Sequence, residues 1–552
     1  MRRRRRLLTR AVPIIALAAG AFAAGAVLAT GPGRAERQLV TRYVNAWQRE
    51  DYTGMYSMLD PASRRHTSEA RFAARLQNNA ALATVTSLRA QHVGSAEGNS
   101  IPVGMVIATK LWGTLHETLQ VPFTGTGSGA KVHLTNSLTF PGLRGGERLG
   151  REIKLPPRAT LLASDGTPLA EGPDRSSPIP DVAQQIVGTL GPIPRAQSSL
   201  YAAEGYPTGA KVGIDGLERI FESRLAGTPG GRLLAGHRVL AKAKPAKGPA
   251  VQTTIDPPLE RAAVSALGGQ YAGITVMNPR TGALRALAGI AFSSIQPPGS
   301  TMKIITATAA LDAGVVKLST QFPIQTSSTI AGFTLQNAGG EACGGSFLNA
   351  FAVSCNSVFA PLGAKVGAAR LVAMAEKFGF NQAPSIPGVM ESTIPSAKAI
   401  GDSLAVGSSA IGQGMVQATS LEMTEVAATI AMGGRRPIPT LLAHQRPRFV
   451  RVTSPRVAHE VQKMMIAVVD FGTGTAAQIP GVVVAGKTGT AELTNTSAPG
   501  NSTPQNTDAW FVGYAPVGHP KVVAGALFPN QGAGGAAAAP PVHDVLAAAL
   551  GK

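Results

Sequence analysis

The sequence predicts a multidomain α+β chain that ends in a large mixed α/β domain. Three observations carry that expectation. At 552 residues the chain is long enough for three or four domains of ~150 residues each. Its first part places helix-spaced apolar residues ahead of strand-like alternation, and from Val251 onward strands and helices alternate. Hydrophobic residues make up 44% and charged residues 15%, a balance that excludes a disordered chain.

The elements follow in order. Residues 1–10 form a basic tail containing Arg2 to Arg6 and Arg10, six of the charges behind a formal net charge of +20. Residues 11–29 are uncharged and apolar. At ~1.5 Å per residue in a helix they reach ~28 Å, close to a bilayer core. A basic flank on the cytoplasmic side then predicts one membrane span over 11–30, with the rest outside the cell. A cleaved signal peptide is the alternative, and either one exports the body of the chain.

Within 33–150, Leu39, Tyr43, Val44 and Trp47 repeat at helical spacing. Further helices are expected at 51–59 and 68–78, then strands at 83–93, 101–111, 114–122 and 131–140. The glycines between Gly125 and Gly129 read as a hairpin turn, because no helix pattern follows for a phosphate loop. Residues 151–250 are rich in Pro and Gly, with a short helix at 217–226 stopped near Gly227. The stretch 241–250, with Lys242, Lys244, Pro245 and Lys247, has the composition of a solvated linker. In 251–552 a hairpin is expected over 273–278 and 283–288, a helix over 301–313, strands at 481–493, 509–515 and 522–528, and a last helix at 542–550.

Three short motifs carry chemistry. Ser300-Thr301-Met302-Lys303 follows Pro297-Pro298-Gly299, which breaks any earlier helix. Ser300 therefore opens a helix, with Lys303 one turn on and on the same face. A neutral lysine there can take the serine proton. Alone, such a pair is more often two exposed helix residues. The second motif is Ser354-Cys355-Asn356, whose hydroxyl can relay a proton and whose amide can orient a neighbour. The third is Lys487-Thr488-Gly489, followed by Thr490, at the end of a Val-rich strand. Lysine and hydroxyls there can bind a carboxylate, and Gly489 lets a backbone approach.

In that order the trio resembles the penicillin-recognising serine acyl-transferases. Ala410-Ile411-Gly412-Gln413-Gly414 resembles the family's stretch before the third box, and the run from Asp508 to Gly513 resembles the strand after it. Thr253-Thr254-Ile255-Asp256 resembles the start of the transpeptidase domain, 251–552. The runs 158–166 and 213–218 resemble the dimerisation or pedestal region of class B penicillin-binding proteins, 151–250, expected to be elongated and β-rich. The first domain is similar to the nuclear-transport-factor-like domain of the MecA-type branch.

The resemblance implies a central antiparallel sheet flanked by helices. It implies a D,D-transpeptidase that cross-links peptidoglycan stem peptides ending in D-Ala-D-Ala. Lys303 would activate Ser300, Ser354 would help protonate the leaving D-Ala, and Asn356 would position the donor. Lys487, Thr488 and Thr490 would hold the substrate carboxylate, with the N–H groups of Ser300 and Thr490 as oxyanion hole. β-Lactams would acylate Ser300, and a membrane glycan polymerase is the implied partner. No cofactor is implied. Two positions depart from the pattern: Cys355 stands where the second box has Asp, and Ala159 where Gly follows Arg158.

Other readings are weaker. Residues 481–488 match G-x-x-x-x-G-K-T, but Val482, Val483 and Val484 fill the loop position and no helix start follows. A β-lactamase or D,D-carboxypeptidase would use the same trio, and a silent scaffold would not need it intact. The histidines show no metal-ligand spacing, so no metal is expected, and no basic run with aromatics suggests nucleic acid. Cys343 and Cys355 fit a disulfide or two buried thiols equally. Glu422 and Glu425 read as a solvated helix face.

Overall fold

The computed structural model describes residues 33–493 and 503–552. The expected span at 11–30 lies outside the described residues, and among those described no single helix is long and apolar enough to cross a membrane. The chain divides into two compact units.

The first unit runs to Lys154 and adds Ser199–Tyr206 and Pro229–Lys244. Its helix Arg34–Gln48 buries Leu39, Val40, Tyr43, Val44 and Trp47 along one stripe. Asp51, Asp60 and Ser68 cap the three helices that follow, Tyr52–Ser57, Pro61–His66 and Glu69–Leu82, each accepting a backbone N–H from its first turn. Strands Val85–Val93, Ser100–Thr109, Thr114–Thr124 and Lys131–Val132 pair antiparallel in sequence order. Ile101, Val103, Met105 and Ile107 alternate inward, as a half-buried sheet requires. The glycine-rich turn is pinned by the Glu36 carboxylate, which accepts from Gly127 N at 2.7 Å.

Two expectations fail here. The strand at 131–140 stops at Val132 and gives way to a 3₁₀ turn, Asn136–Thr139. Side chains take over the backbone there: Leu134 N donates to Ser63 Oγ, and Asn79 Nδ2 to Thr139 O. The lysine-bearing stretch after Ala241 begins inside strand Arg238–Ala243, paired through Gly230–Ala235 to Leu149–Lys154. Ala241 and Ala243 pack inward while Lys242 faces water, so a linker composition conceals a strand.

The second unit holds the remaining residues from Leu155 to the C-terminus. Its five-stranded sheet has strands β1 (Gly273–Asn278), β2 (Ala283–Gly289), β3 (Ala485–Glu492), β4 (Thr507–Ala515) and β5 (Val522–Phe528). They lie in the order β2-β1-β5-β4-β3, antiparallel throughout, with β3 at one edge. Every residue of β5 is buried, because helices cover both faces. Pro257–Ala266 and Ala539–Leu550 close one core against the sheet. Helices build the other, among them α1 (Lys303–Asp312), α2 (Asn356–Val366), α3 (Ser420–Ala431) and α4 (Pro455–Asp470). Because α3 is enclosed by the sheet and by strand Arg435–Pro437, it has no solvated face. Glu425 is 93% buried and Glu422 half-buried, against expectation.

The runs 158–166 and 213–218 meet in an ion cluster. Arg158 donates to Glu218 at 2.6 Å and Glu222 at 2.7 Å, and Arg175 donates to Glu218 at 2.7 Å. Glu222 also accepts from Gly213 N, and Glu218 is 1% exposed. Removing one member of a buried cluster leaves uncompensated charge. Glu218→Ala is expected to destabilise this unit by about 3 kcal/mol or more in urea unfolding. An unchanged midpoint would show that the cluster contributes nothing.

Candidate active site

Ser300 lies in a 3₁₀ turn, Gly299–Met302, that leads into α1. Two neighbours fix this turn by close approach. Gly299 N donates to Gly412 O at 3.0 Å, and a Cβ on Gly412 would stand 2.1 Å from Gly299 O. Gly489 on β3 abuts the same turn, where a Cβ would stand 2.8 Å from Pro298 O. Glycine is thus required at both places, which explains the Gly412 motif physically. Turning the Gln413 amide so that its nitrogen faces Glu492 O pairs it with both backbone groups of Glu492, at the end of β3. The G-x-x-x-x-G-K-T match runs directly into β3 and not into a helix.

Lys303 is fully buried. Its Nζ donates to Ser354 O and Asn356 Oδ1, both at 2.7 Å, and lies 3.2 Å from Ser354 Oγ. Lys487 is also fully buried, and its Nζ lies 2.9 Å from Ser354 Oγ and 2.9 Å from Thr488 O. One hydroxyl therefore sits between two lysine nitrogens. Among the described residues no carboxylate pairs with either lysine. Two rings form the floor: Phe359 lies 5.6 Å from Lys303 Nζ and Phe351 5.6 Å from Lys487 Nζ.

Burial without a counter-charge favours the neutral amine. It holds Lys303 well below the ordinary lysine value of 10.5, with the nearby Lys487 adding a smaller push. Burial alone brings Lys487 down to about 7. A neutral amine has two N–H groups and one lone pair. For Lys303 the two strong acceptors, Ser354 O and Asn356 Oδ1, use both N–H groups. The lone pair is left to accept a proton. Among the described residues the Ser300 hydroxyl has no hydrogen-bond partner, and such bonds often tighten only when a substrate enters.

Ser354 has φ 63°, a left-handed conformation rare outside glycine. Its N–H bonds Phe351 O and the Cys355 N–H bonds Ala350 O, which hold that geometry. A disulfide joins Cys355 to Cys343 on strand Cys343–Ser346. Asn356 opens α2 and donates to Gln336 O at 3.2 Å. The structure thus brings all three motifs to one place.

Thr488 is 5% exposed, and its Oγ1 shares a 2.5 Å hydrogen bond with Thr473 Oγ1. Thr490 is more open and accepts from Gly534 N at 3.2 Å. Sequence reasoning missed Thr473, which sits after α4 in Gly472-Thr473-Gly474 with no motif of its own. It also missed the ring floor of Phe351 and Phe359.

The sequence matches two family descriptions. Residues 272–547 match "Penicillin binding protein transpeptidase domain", and 155–241 match "Penicillin-binding Protein dimerisation domain". The chain is 37% identical over 286 residues to a peptidoglycan D,D-transpeptidase PbpA of Mycobacterium tuberculosis, covering 47% of this chain. It is 25% identical over 443 residues to the peptidoglycan D,D-transpeptidase MrdA of Acinetobacter baumannii, covering 67% of this chain and 65% of MrdA. The match to PbpA spans 56% of that relative's length. Among solved structures, PBPA of M. tuberculosis superposes with a TM-score of 0.58 at 28% identity, over 71% of this chain and 99% of that one. The ceftriaxone acyl-enzyme complex of penicillin-binding protein A from the same organism gives 0.58 at 27%, over 71% and 98%.

A lysine held neutral when folded binds fewer protons than when unfolded. Stability then rises with pH between its folded value and 10.5. Unfolding free energy is expected to climb from neutral pH toward 10. In Lys303→Met that climb is expected to be shallower, by up to ~1.4 kcal/mol per pH unit. Equal slopes in urea unfolding would contradict a neutral Lys303.

Proposed function

The chain belongs to the penicillin-binding protein transpeptidase family, of the class B kind that joins a dimerisation region to the transpeptidase domain, and on that premise we propose that it is a peptidoglycan D,D-transpeptidase. The single observation that carries this reading is Ser354 Oγ between the buried Lys487 and the buried Lys303, the latter three residues after Ser300.

The steps follow from the groups present. Neutral Lys303 takes the Ser300 proton as Oγ attacks the carbonyl of the penultimate D-Ala. Charge develops on that oxygen, and the N–H groups of Ser300 and Thr490 stabilise it. Ser300 lies in the first turn before α1, where N–H groups lack helical partners. The leaving D-Ala amine takes a proton through Ser354, which both lysines can resupply. Lys487 and Thr490 meet the substrate carboxylate. Thr488 acts with them, its hydroxyl oriented by Thr473. The donor peptide runs along the open edge of β3 beside Gly489, and Asn356 positions it. An amine of a second strand then attacks the acyl-enzyme. β-Lactams acylate Ser300 as mimics of the first step.

The first unit, with helices ahead of an antiparallel sheet, supports a nuclear-transport-factor-like, MecA-type domain over 33–150. Residues 151–250 serve as the pedestal. The basic tail and apolar run of the sequence support a single-pass cell-membrane protein, with 251–552 outside and a membrane glycan polymerase as partner.

Intact-protein mass after incubation with penicillin tests the reading. One stable adduct, absent from Ser300→Ala, is expected. Drug hydrolysis without an adduct would favour a β-lactamase, and intact drug without an adduct would favour a silent scaffold.

A further inference from the structure

Helix α2 carries Asn356 in its first turn but has no cap of its own. Its N-cap is Cys355, whose sulfur is bonded to Cys343 and which gives the first turn no side-chain acceptor. An N-cap side chain ordinarily takes the N–H two or three residues on. Here that N–H, on Ser357, donates at 2.7 Å to Oδ1 of Asn337, a residue 20 positions upstream.

Asn337 is 5% exposed, and its other polar groups are all engaged. Nδ2 donates to Gln325 O at 2.8 Å and to Glu341 O at 2.9 Å. Its backbone N–H donates to Thr326 O at 2.8 Å, and its carbonyl accepts from Gly340 N at 3.0 Å. Two carbonyls on one side of the amide and an N–H on the other fix which end is oxygen. These bonds tie the base of the hairpin formed by Ser327–Ile330 and Phe333–Gln336 to the start of α2.

The peptide unit between Gln336 and Asn337 is held at both ends. Its N–H meets Thr326 O, and its carbonyl, Gln336 O, accepts from Asn356 Nδ2 at 3.2 Å. That carbonyl decides how the Asn356 amide lies. With Nδ2 on Gln336 O, Oδ1 faces Lys303 and accepts its N–H at 2.7 Å. Turned over, the amide would set oxygen against oxygen. It would also offer an N–H to the lone pair of Lys303, which must take the Ser300 proton. Among the described residues Asn337 makes no hydrogen bond to Ser300, Lys303, Ser354 or Lys487. We infer that Asn337 is a positioning residue for the base: it caps α2 from outside the helix and, through Gln336 O, keeps the Asn356 oxygen toward Lys303. The inference rests on the transpeptidase reading, in which Lys303 takes the Ser300 proton.

Two measurements on the full chain test it. One is penicillin acylation, resolved into drug binding (Kd) and the acylation step (k2). The other is the Lys303 titration, followed by carbon-13 NMR of Cε-labelled lysines and assigned with Lys303→Met. In Asn337→Ala, k2 is expected to fall at least about tenfold with Kd little changed. The titration is expected to move to lower pH, because the freed amide bonds the neutral amine; Lys487, the charged neighbour of Lys303, is present in every variant. Asn337→Asp keeps an acceptor for the Ser357 N–H and is expected to retain k2 within about threefold. Circular dichroism checks that the variants fold. Either a wild-type k2 or an unmoved titration in folded Asn337→Ala would overturn the inference. So would a tenfold or greater loss of k2 in folded Asn337→Asp. A wild type that takes no penicillin adduct would instead overturn the transpeptidase reading, and the Lys303 titration would then judge the positioning role by itself.

Discussion

Two lysines buried within reach of one hydroxyl cannot both carry full charge without a counter-ion. That constraint organises the second unit. Ser354 Oγ lies 3.2 Å from Lys303 Nζ and 2.9 Å from Lys487 Nζ, and among the described residues no carboxylate offsets either. A neutral amine can serve as a base or a proton relay, the role proposed for these two lysines. The interaction costs stability, as active sites often do. The surrounding fold supplies it from helix α1, buried from Lys303 to Leu311, and from strand β5, which is buried throughout.

Three segments distant in sequence must therefore meet closely. The turn bearing Ser300 is clamped between Gly412 and Gly489, where any side chain would collide with backbone. Ser354 is held left-handed by the backbone bonds around it, and the neighbouring Cys343–Cys355 disulfide ties the same residues to a strand. Strain of this kind, of order 1–3 kcal/mol per residue, persists where neighbours over-determine it. The geometry of Ser354 is in that sense imposed from outside its own motif.

The sequence made the site legible where chemistry is compressed into a few residues. Pro297-Pro298-Gly299 marks the break that exposes Ser300, and the helical spacing puts Lys303 beneath it. Lys487 to Thr490 read as strand because three valines precede them. Partners assembled across the fold stayed hidden. Thr473 gains meaning only against Thr488, and Glu422 with Glu425 reads as a solvent face until strand Arg435–Pro437 and the sheet enclose α3. The strand expected over 131–140 was lost to side chains of Ser63 and Asn79, which no local pattern announces. The strand at Arg238–Ala243 was masked by Lys242 on its outer face and by the lysines and proline that follow it.

The central claim is that Lys303 is the base because burial keeps it neutral. The rate of penicillin acylation as a function of pH tests it most directly. The account predicts a rate that rises with pH and levels off well below the ordinary lysine value of 10.5, then falls as Lys487, near 7, loses the charge that meets the drug's carboxylate. A rate that keeps climbing to pH 10.5, as an ordinary exposed lysine would give, would contradict it.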